Sequence, residues 1–241
     1  LSSPLQLICF PFAGGGTSPY RFWLQHQSTK MGISAVLLPG RETRIRETPV
    51  SDINLICDSI ITALLRHYHG KRLIFFGHSM GSMLAYEVAI RLESAHQWPV
   101  RAIFVSGRKP PHKCISGDFH QAPEEDFVRE IQRLGGTPTS IFEDAEMRNI
   151  LLPMLRSDYA LLENYRLVQP RPLSCAIYTC CGDQDTEASV EEMRSWQDLS
   201  RARCAHRVFQ GGHFYLSDKN NQKSLSLYLA EVVSQMDGVF F

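Results

Sequence analysis

The stretch Leu73-Ile74-Phe75-Phe76-Gly77-His78-Ser79-Met80-Gly81-Ser82 constrains this chain more than any other. Four apolar residues run into a glycine, a serine follows two positions on, and a second glycine stands two beyond it. The pattern then turns helical, with Met83, Leu84, Val88 and Leu92 at helical steps and Ala85 and Ala89 between them. This is G-x-S-x-G in the context that gives the motif meaning, a strand feeding a sharp turn into a helix. A serine at such a corner projects its Oγ out of the sheet. Small flanking residues let neighbouring chain pass close by. Ser79 is therefore the candidate nucleophile, since a chance turn serine lacks the buried strand before it and the helix after it.

The rest of the chain supplies the matching framework. Leu5 to Phe10 reads as a buried strand ending in Pro11-Phe12-Ala13-Gly14-Gly15-Gly16, and Tyr20 to Lys30 as a helix behind Ser18 and Pro19. Ile33 to Leu38 is the next strand, Ser51 to His69 a helix, and Arg101 to Ser106 a strand. β-branched and aromatic runs alternating with helical stretches predict βαβ units and a mostly parallel central sheet flanked by helices. From about 110 to 168 the alternation lapses into two helical patterns. Phe127, Ile131 and Leu134 share a face of the first, which Gly135-Gly136 ends. The second runs from Asp144 to Tyr165, with a kink or break expected at Pro153. A helical lid over the sheet's carboxyl edge is the simplest account. Leu173 to Cys181 and Cys204 to Phe209 then read as strands, and Val190 to Leu199 and Ser224 to Met236 as helices. The 241 residues are expected to form a single domain, 1–241, with that insertion.

Composition excludes several classes. Lys plus Arg equals Asp plus Glu at 25 each, which argues against a general nucleic-acid binder. The seven cysteines show no paired C-x-x-C spacing, so buried reduced thiols and a cytoplasmic location are expected rather than disulfides or zinc. No apolar run is long enough to span a membrane, and no signal peptide is visible.

A serine hydroxyl needs a base within hydrogen-bond reach and a third group to orient that base. Chain order Ser, acid, His is that of an α/β-hydrolase. Downstream of Ser79 the carboxylates at a strand end are Asp183 and Asp185, and the histidines are His206 and His213. His213 follows the last strand through Gln210-Gly211-Gly212 and falls at the carboxyl edge, where open α/β sheets bind ligands. His206 lies inside the strand, where a structural role fits better. Asp185 is favoured as the acid because the loop needs a few residues to turn back, and Asp183 reads as a turn-former beside Gly182. The backbone N–H of Met80, at a helix amino end, is one candidate oxyanion donor. A second is sought in the loop around Phe12, Ala13 and Gly14. That loop lacks the G-K-[ST] and G-x-G-x-x-G patterns of nucleotide binding. His78 reads as structural. Arg41, Arg44 and Arg46 form either a solvated charged loop or a docking surface for an acidic partner or a phosphate.

Taken together, Ile8-Cys9-Phe10-Pro11-Phe12-Ala13-Gly14-Gly15, Leu38-Pro39-Gly40-Arg41, Gly77-His78-Ser79-Met80-Gly81 and Gly211-Gly212-His213-Phe214 closely resemble the stand-alone type II thioesterases of nonribosomal peptide and polyketide assembly lines. Leu134-Gly135-Gly136 and Leu152-Pro153-Met154-Leu155-Arg156-Ser157-Asp158-Tyr159 resemble the lid of that family. The resemblance implies an α/β-hydrolase fold, a Ser79–Asp185–His213 triad, and oxyanion N–H groups from Ala13 and Met80. It implies hydrolysis, through an acyl-serine, of acyl or aminoacyl thioesters on the phosphopantetheine arm of acyl or peptidyl carrier domains. The protein itself would need no cofactor or metal and would act as a monomer, without nucleic acid or membrane. The rivals are a soluble carboxylesterase or lipase with the same triad and a catalytically silent α/β-hydrolase used as a binding module.

Overall fold

The computed structural model describes residues 3–24, 31–167 and 169–237. Six strands form one sheet in the order β2-β1-β3-β4-β5-β6. They are β1 (Leu5–Phe10), β2 (Met31–Ala35), β3 (Arg72–His78), β4 (Ala102–Ser106), β5 (Ala176–Gly182) and β6 (Cys204–Phe209), and each neighbouring pair is parallel. Parallel pairing requires crossovers, supplied by α1 (Arg21–Leu24), α2 (Ile53–Tyr68), α3 (Met80–His96), α7 (Val190–Arg194) and the linked turns. The closing helix is α8 (Lys219–Asp237).

Strand alternation divides the core. Leu73 and Phe75 of β3 pack with α2 and α3 on one face, while Ile74 and Phe76 pack with Trp23 and with Leu225 and Leu229 of α8 on the other. A sheet covered on both faces explains why Leu73–Phe76 of β3 and Ala102–Val105 of β4 read as continuous apolar runs rather than alternating ones. The strand order reverses between β1 and β3, which pair with Phe10 opposite Gly77. Their carboxyl ends therefore open a crevice at the topological switch point, the usual ligand position of such a sheet. The loop Pro11–Gly16 leaves one side of it and Ser79 leaves the other.

Between β4 and β5 the chain forms α4 (Glu124–Leu134), α5 (Thr139–Glu143) and α6 (Ala145–Asn164). Gly135, at φ 79°, ends α4, in agreement with the stop expected there. The short α5 has no counterpart in the sequence reading. The break expected at Pro153 does not occur, and α6 continues through it as one helix. Proline removes a single hydrogen bond. Packing of Leu152 and Leu155 against Phe127, Ile131 and Phe142 holds the turns on either side.

Other boundaries shift modestly. β2 stops at Ala35, α2 starts after Asp52, whose carboxylate accepts from Asn54 N and Leu55 N, and α8 starts at Lys219 behind Asp218. The helix expected over 190–199 is α7 followed by a 3₁₀ turn over Ser195–Leu199. The helix expected over 20–30 is a 3₁₀ turn and α1, and residues 25–30 lie outside the described residues. Phe75, wholly buried and edge-on to Phe10 at 5.0 Å, tests this core. Phe75→Ala is expected to cost about 3–5 kcal/mol in urea unfolding. A loss below about 1 kcal/mol would show that the site is not packed as described.

Candidate active site

The turn after β3 is a strained corner. Ser79 has φ 52° and ψ −116°, a conformation that costs an L-residue about 1–3 kcal/mol and persists only where surroundings enforce it. Here Ser79 N donates to Ser106 O at 2.8 Å, and Ser82 N donates to Ser79 O at 3.0 Å. The flanking glycines are required by contact. A methyl on Gly77 would lie 2.0 Å from Gly81 O, and one on Gly81 would lie 2.2 Å from Phe10 O. Ser82, which the sequence reading did not single out, stitches the corner to β4. Its Oγ lies 2.9 Å from Gly77 O and from Ser106 O, and accepts from Ser106 N at 2.9 Å.

β5 and β6 deliver the acid and the imidazole to the same edge. His213 Nδ1 lies 3.1 and 3.0 Å from the two carboxylate oxygens of Asp185, and both side chains are buried. A carboxylate beside Nδ1 fixes the tautomer with the proton there, leaving Nε2 as the lone-pair nitrogen. Asp185 Oδ1 also accepts from Glu187 N at 2.8 Å and Ala188 N at 3.3 Å, which sets the carboxylate's orientation. Asp183 turns the other way and accepts from Gly211 N at 2.8 Å, bracing the two loops. His206 bonds Thr179 Oγ1 through Nδ1 within the sheet. Of the four candidates, Asp185 and His213 are the two in mutual contact. The His213 ring stands 5.0 Å from that of His78, the neighbour of Ser79.

Beneath them lies a buried polar chain that the sequence reading did not identify. His78 Nδ1 is 2.9 Å from Ser106 Oγ, which is 2.7 Å from Tyr215 OH. Gly107, at φ 59°, leaves the space that His78 and Asp185 occupy, for a methyl there would lie 2.7 Å from His78 Cε1 and 3.3 Å from Asp185 Oδ2. Burial, reinforced by His213, holds the His78 pKa well below the usual histidine range. Its only legible signal was its place beside Ser79.

The glycine loop after β1 is fastened at several points. Gly15 N donates to Phe12 O at 2.8 Å, and Gly14 N donates to Asp158 Oδ2 at 2.8 Å. Arg41 grips the same carboxylate with both terminal nitrogens, at 2.9 and 2.8 Å, and donates to Gly15 O at 2.9 Å. This corrects both readings of Arg41, as part of a solvated charged loop or of a docking surface: it is 4% exposed and serves a lid carboxylate. Arg44 is paired with Glu47 and with Leu37 O, so of the three arginines only Arg46 lies open without such an ion pair among the described residues. Burial pushes the Asp158 carboxyl up, opposed by the Arg41 guanidinium and the Gly14 N–H. Ala13 N–H and Met80 N–H have no acceptor among the described residues, and Met80, opening α3, is one of a helix's orphan donors.

The lid rests on both banks of this edge. Leu155 of α6 reaches within 2.6 Å of where a Gly14 side chain would begin, and Gly136 sits against the ring of Phe214, next to His213. Arg133 of α4 pairs with Glu187, two residues past Asp185, at 2.7 Å. Leu134 and Tyr159 of the lid border a cavity of about 670 Å³ with Phe119, Arg129 and Arg133. Met154 and Leu155 are buried. Among the described residues no three His, Cys, Asp or Glu converge as metal ligands, and no helix is long and apolar enough to cross a membrane.

Comparison with known proteins places this geometry among relatives. The profile of the thioesterase domain family matches residues 5–230. The medium-chain S-acyl fatty acid synthase thioesterase of Rattus norvegicus is 34% identical, over 94% of this chain and 87% of its own length. The solved type II thioesterase BorB, from the borrelidin biosynthetic cluster, is 34% identical at a TM-score of 0.84, over 94% of this chain and 91% of that one. YbtT, a type II thioesterase of the yersiniabactin NRPS/PKS pathway, is 26% identical at a TM-score of 0.84, over 100% of this chain and 96% of that one.

The His78 shift carries a pH prediction. The unfolded chain takes up this proton near pH 6.5 while the native state does not, so unfolding binds a proton below that pH. Stability should therefore fall as pH drops below about 6.5, by up to about 1.4 kcal/mol per pH unit. Urea unfolding at about pH 7.5 and 5.5 checks it. The wild type should lose more than His78→Gln, and equal losses would remove His78 as the source.

Proposed function

Since this chain belongs to the thioesterase domain family, we propose that it is a type II, editing thioesterase that hydrolyses acyl or aminoacyl groups from the phosphopantetheine arm of carrier domains in a polyketide or nonribosomal peptide assembly line. The observation that carries the reading is the Asp185–His213 contact beside the strained Ser79, at the mouth of the switch-point crevice. BorB and YbtT, similar over nearly the whole chain, support the assembly-line context. The equal identity to the rat thioesterase keeps a fatty acid synthase carrier as the second reading. A reducing compartment such as the cytoplasm fits the seven unpaired cysteines.

In this reading Ser79 is the nucleophile, His213 the base and Asp185 the orienting acid. His213 Nε2 takes the hydroxyl proton as Oγ attacks the thioester carbonyl, and Asp185 stabilises the imidazolium through Nδ1. The carbonyl electrons move to oxygen, and the oxyanion is received by the N–H groups of Met80 and Ala13. Collapse breaks the C–S bond, and the departing sulfur of phosphopantetheine takes the proton from Nε2. Water then gives a proton to Nε2 and attacks the acyl-serine. A second collapse returns the proton to Ser79 Oγ and releases the carboxylic acid. Every proton moved comes from Ser79 or from water, and the acyl group and the departing sulfur come from the substrate. The strained corner holds Oγ clear of the sheet, and the buried, uncharged His78 adds no positive charge beside His213 that would oppose imidazolium formation.

Three measurements test this. Ser79→Ala should lower turnover on an acyl-carrier thioester by about 10⁴ or more. Retention of near-wild-type turnover would refute the catalytic assignment. Asp185→Asn should lower kcat by about 10²–10⁴ and Asp183→Asn by far less, since only the former orients His213. The reverse ranking would transfer the role. Wild-type enzyme should prefer a carrier-bound thioester to the matched oxygen ester, and intact mass spectrometry across loaded carriers should show acyl loss from assembly-line carriers ahead of a fatty acid synthase carrier. Preference for the ester would instead favour a carboxylesterase.

A further inference from the structure

The Phe12–Gly15 loop has an unusual division of labour. Four of its backbone polar groups are committed: Phe12 O to Gly15 N, Gly14 N to Asp158, and Gly15 O to Arg41. In a trans peptide the C=O and the following N–H lie in one plane and point in opposite directions. The Gly15-to-Phe12 bond thus aims the Ala13 N–H away from the loop's own turn, and that donor has no acceptor among the described residues. What keeps the turn from relaxing comes from outside the loop. Asp158 Oδ2 binds Gly14 N at 2.8 Å and Arg41 at 2.9 Å, while Arg41 returns to Gly15 O at 2.9 Å. The carboxylate and guanidinium, 1% and 4% exposed, form a dry clamp around a loop whose Gly14, at φ 77°, is free to adopt other conformations. Asp158 belongs to the lid helix α6, 144 residues along the chain from Gly14.

From this arrangement we infer that Asp158 is a positioning residue for catalysis: with Arg41 it holds the Ala13 N–H where the oxyanion forms, so that the donor is in place when α6 is seated. The inference rests on the oxyanion role of Ala13 in the proposed thioesterase reaction. Asp158 touches neither substrate nor reacting atoms. Its effect should therefore appear in the transition state and not in acyl-chain binding.

The test compares wild type with Asp158→Asn, which keeps the shape and removes the charge, and with the double variant Arg41→Met/Asp158→Leu. The double variant replaces a buried pair by apolar side chains, a change that buried ion pairs often tolerate in stability, and it eliminates the Gly14 acceptor. Thermal unfolding establishes that each is folded. Two probes follow. An acyl trifluoromethyl ketone forms a tetrahedral adduct with Ser79 and needs the oxyanion donors. A thioether, with CH₂ in place of the thioester carbonyl, fills the acyl site without them. Expected for both variants is a kcat lowered about 10- to 100-fold with KM nearly unchanged. Ketone affinity should fall by the same factor as kcat/KM, while thioether affinity stays within about twofold. A folded variant with wild-type kcat overturns the inference, as does an equal loss of affinity for ketone and thioether, which marks a structural role alone. The parent reading fails separately, through an active Ser79→Ala. If Ser79→Ala is inactive and both Asp158 variants behave as wild type, only the positioning role is lost.

Discussion

The backbone of the elbow lies so close to β1 that no side chain fits between them, and the catalytic edge depends on that contact. Gly81 faces Phe10 O, and Gly77 faces Gly81 O across the turn, at distances where an added methyl would overlap backbone. Backbone cannot move aside as a side chain tip can, so both positions are closed to anything but glycine. The approach buries the start of α3 against the sheet and leaves Ser79 in a conformation that costs about 1–3 kcal/mol. Hydrogen bonds to Ser106 and through Ser82 each return about 0.5–1.5 kcal/mol. The strain is thus held locally and draws little on a global stability of about 5–15 kcal/mol.

The same crowding explains the dry polar chain underneath. Small residues at Gly77, Gly81, Ser82, Ser106 and Gly107 allow three strand ends to converge, and the converging space is too tight for bulk water. Polar groups placed there bond one another, as His78 Nδ1, Ser106 Oγ and Tyr215 OH do, while His78 Nε2 is buried without a partner among the described residues. Neutral His78 has a practical consequence. The imidazole of His213 has the Asp185 carboxylate beside its Nδ1, so in the proposed reaction a positive charge developing on that ring would be stabilised there rather than on His78.

Much of this was legible from local pattern. β1 and β6 match their expected limits residue for residue, and G-x-S-x-G announced the elbow because it sat between a strand pattern and a helix pattern. The choice of Asp185 over Asp183 followed from loop geometry, and the contact with His213 falls on Asp185. What escaped were relations between distant segments. Arg41 and Asp158 lie 117 residues apart, and nothing in the run Arg41–Arg46 announces that its first arginine turns inward while its last stays in solvent. Pro153 misled for the reverse reason: a local rule against proline in helices was outweighed by tertiary packing of Leu152 and Leu155. Ser82 and Ser106 were inconspicuous because serine is common in turns and at strand ends; only convergence of the strands makes them joints.

Two ionic contacts between the lid helices and the hydrolase core, Arg133–Glu187 and Arg41–Asp158, differ in kind, and the difference gives the lid a direction. Arg133 and Glu187 are 47% and 39% exposed along their side chains, so water and salt screen the pair and its contribution is about 0–1 kcal/mol. Arg41 and Asp158 are buried, and breaking that pair by removing one partner strands the other charge at a cost of about 3–5 kcal/mol. Separating α6 from the glycine loop also exposes Leu155 and the loop's own N–H and C=O groups, whereas lifting the end of α4 releases a surface contact and the Gly136–Phe214 packing. The α4 side therefore parts at lower cost than the α6 side. Substrate access at the His213 bank is then compatible with a glycine loop that stays fixed at the other. That is the asymmetry the proposed reaction would use, with the acyl group entering and leaving while the Ala13 and Met80 N–H groups stay still.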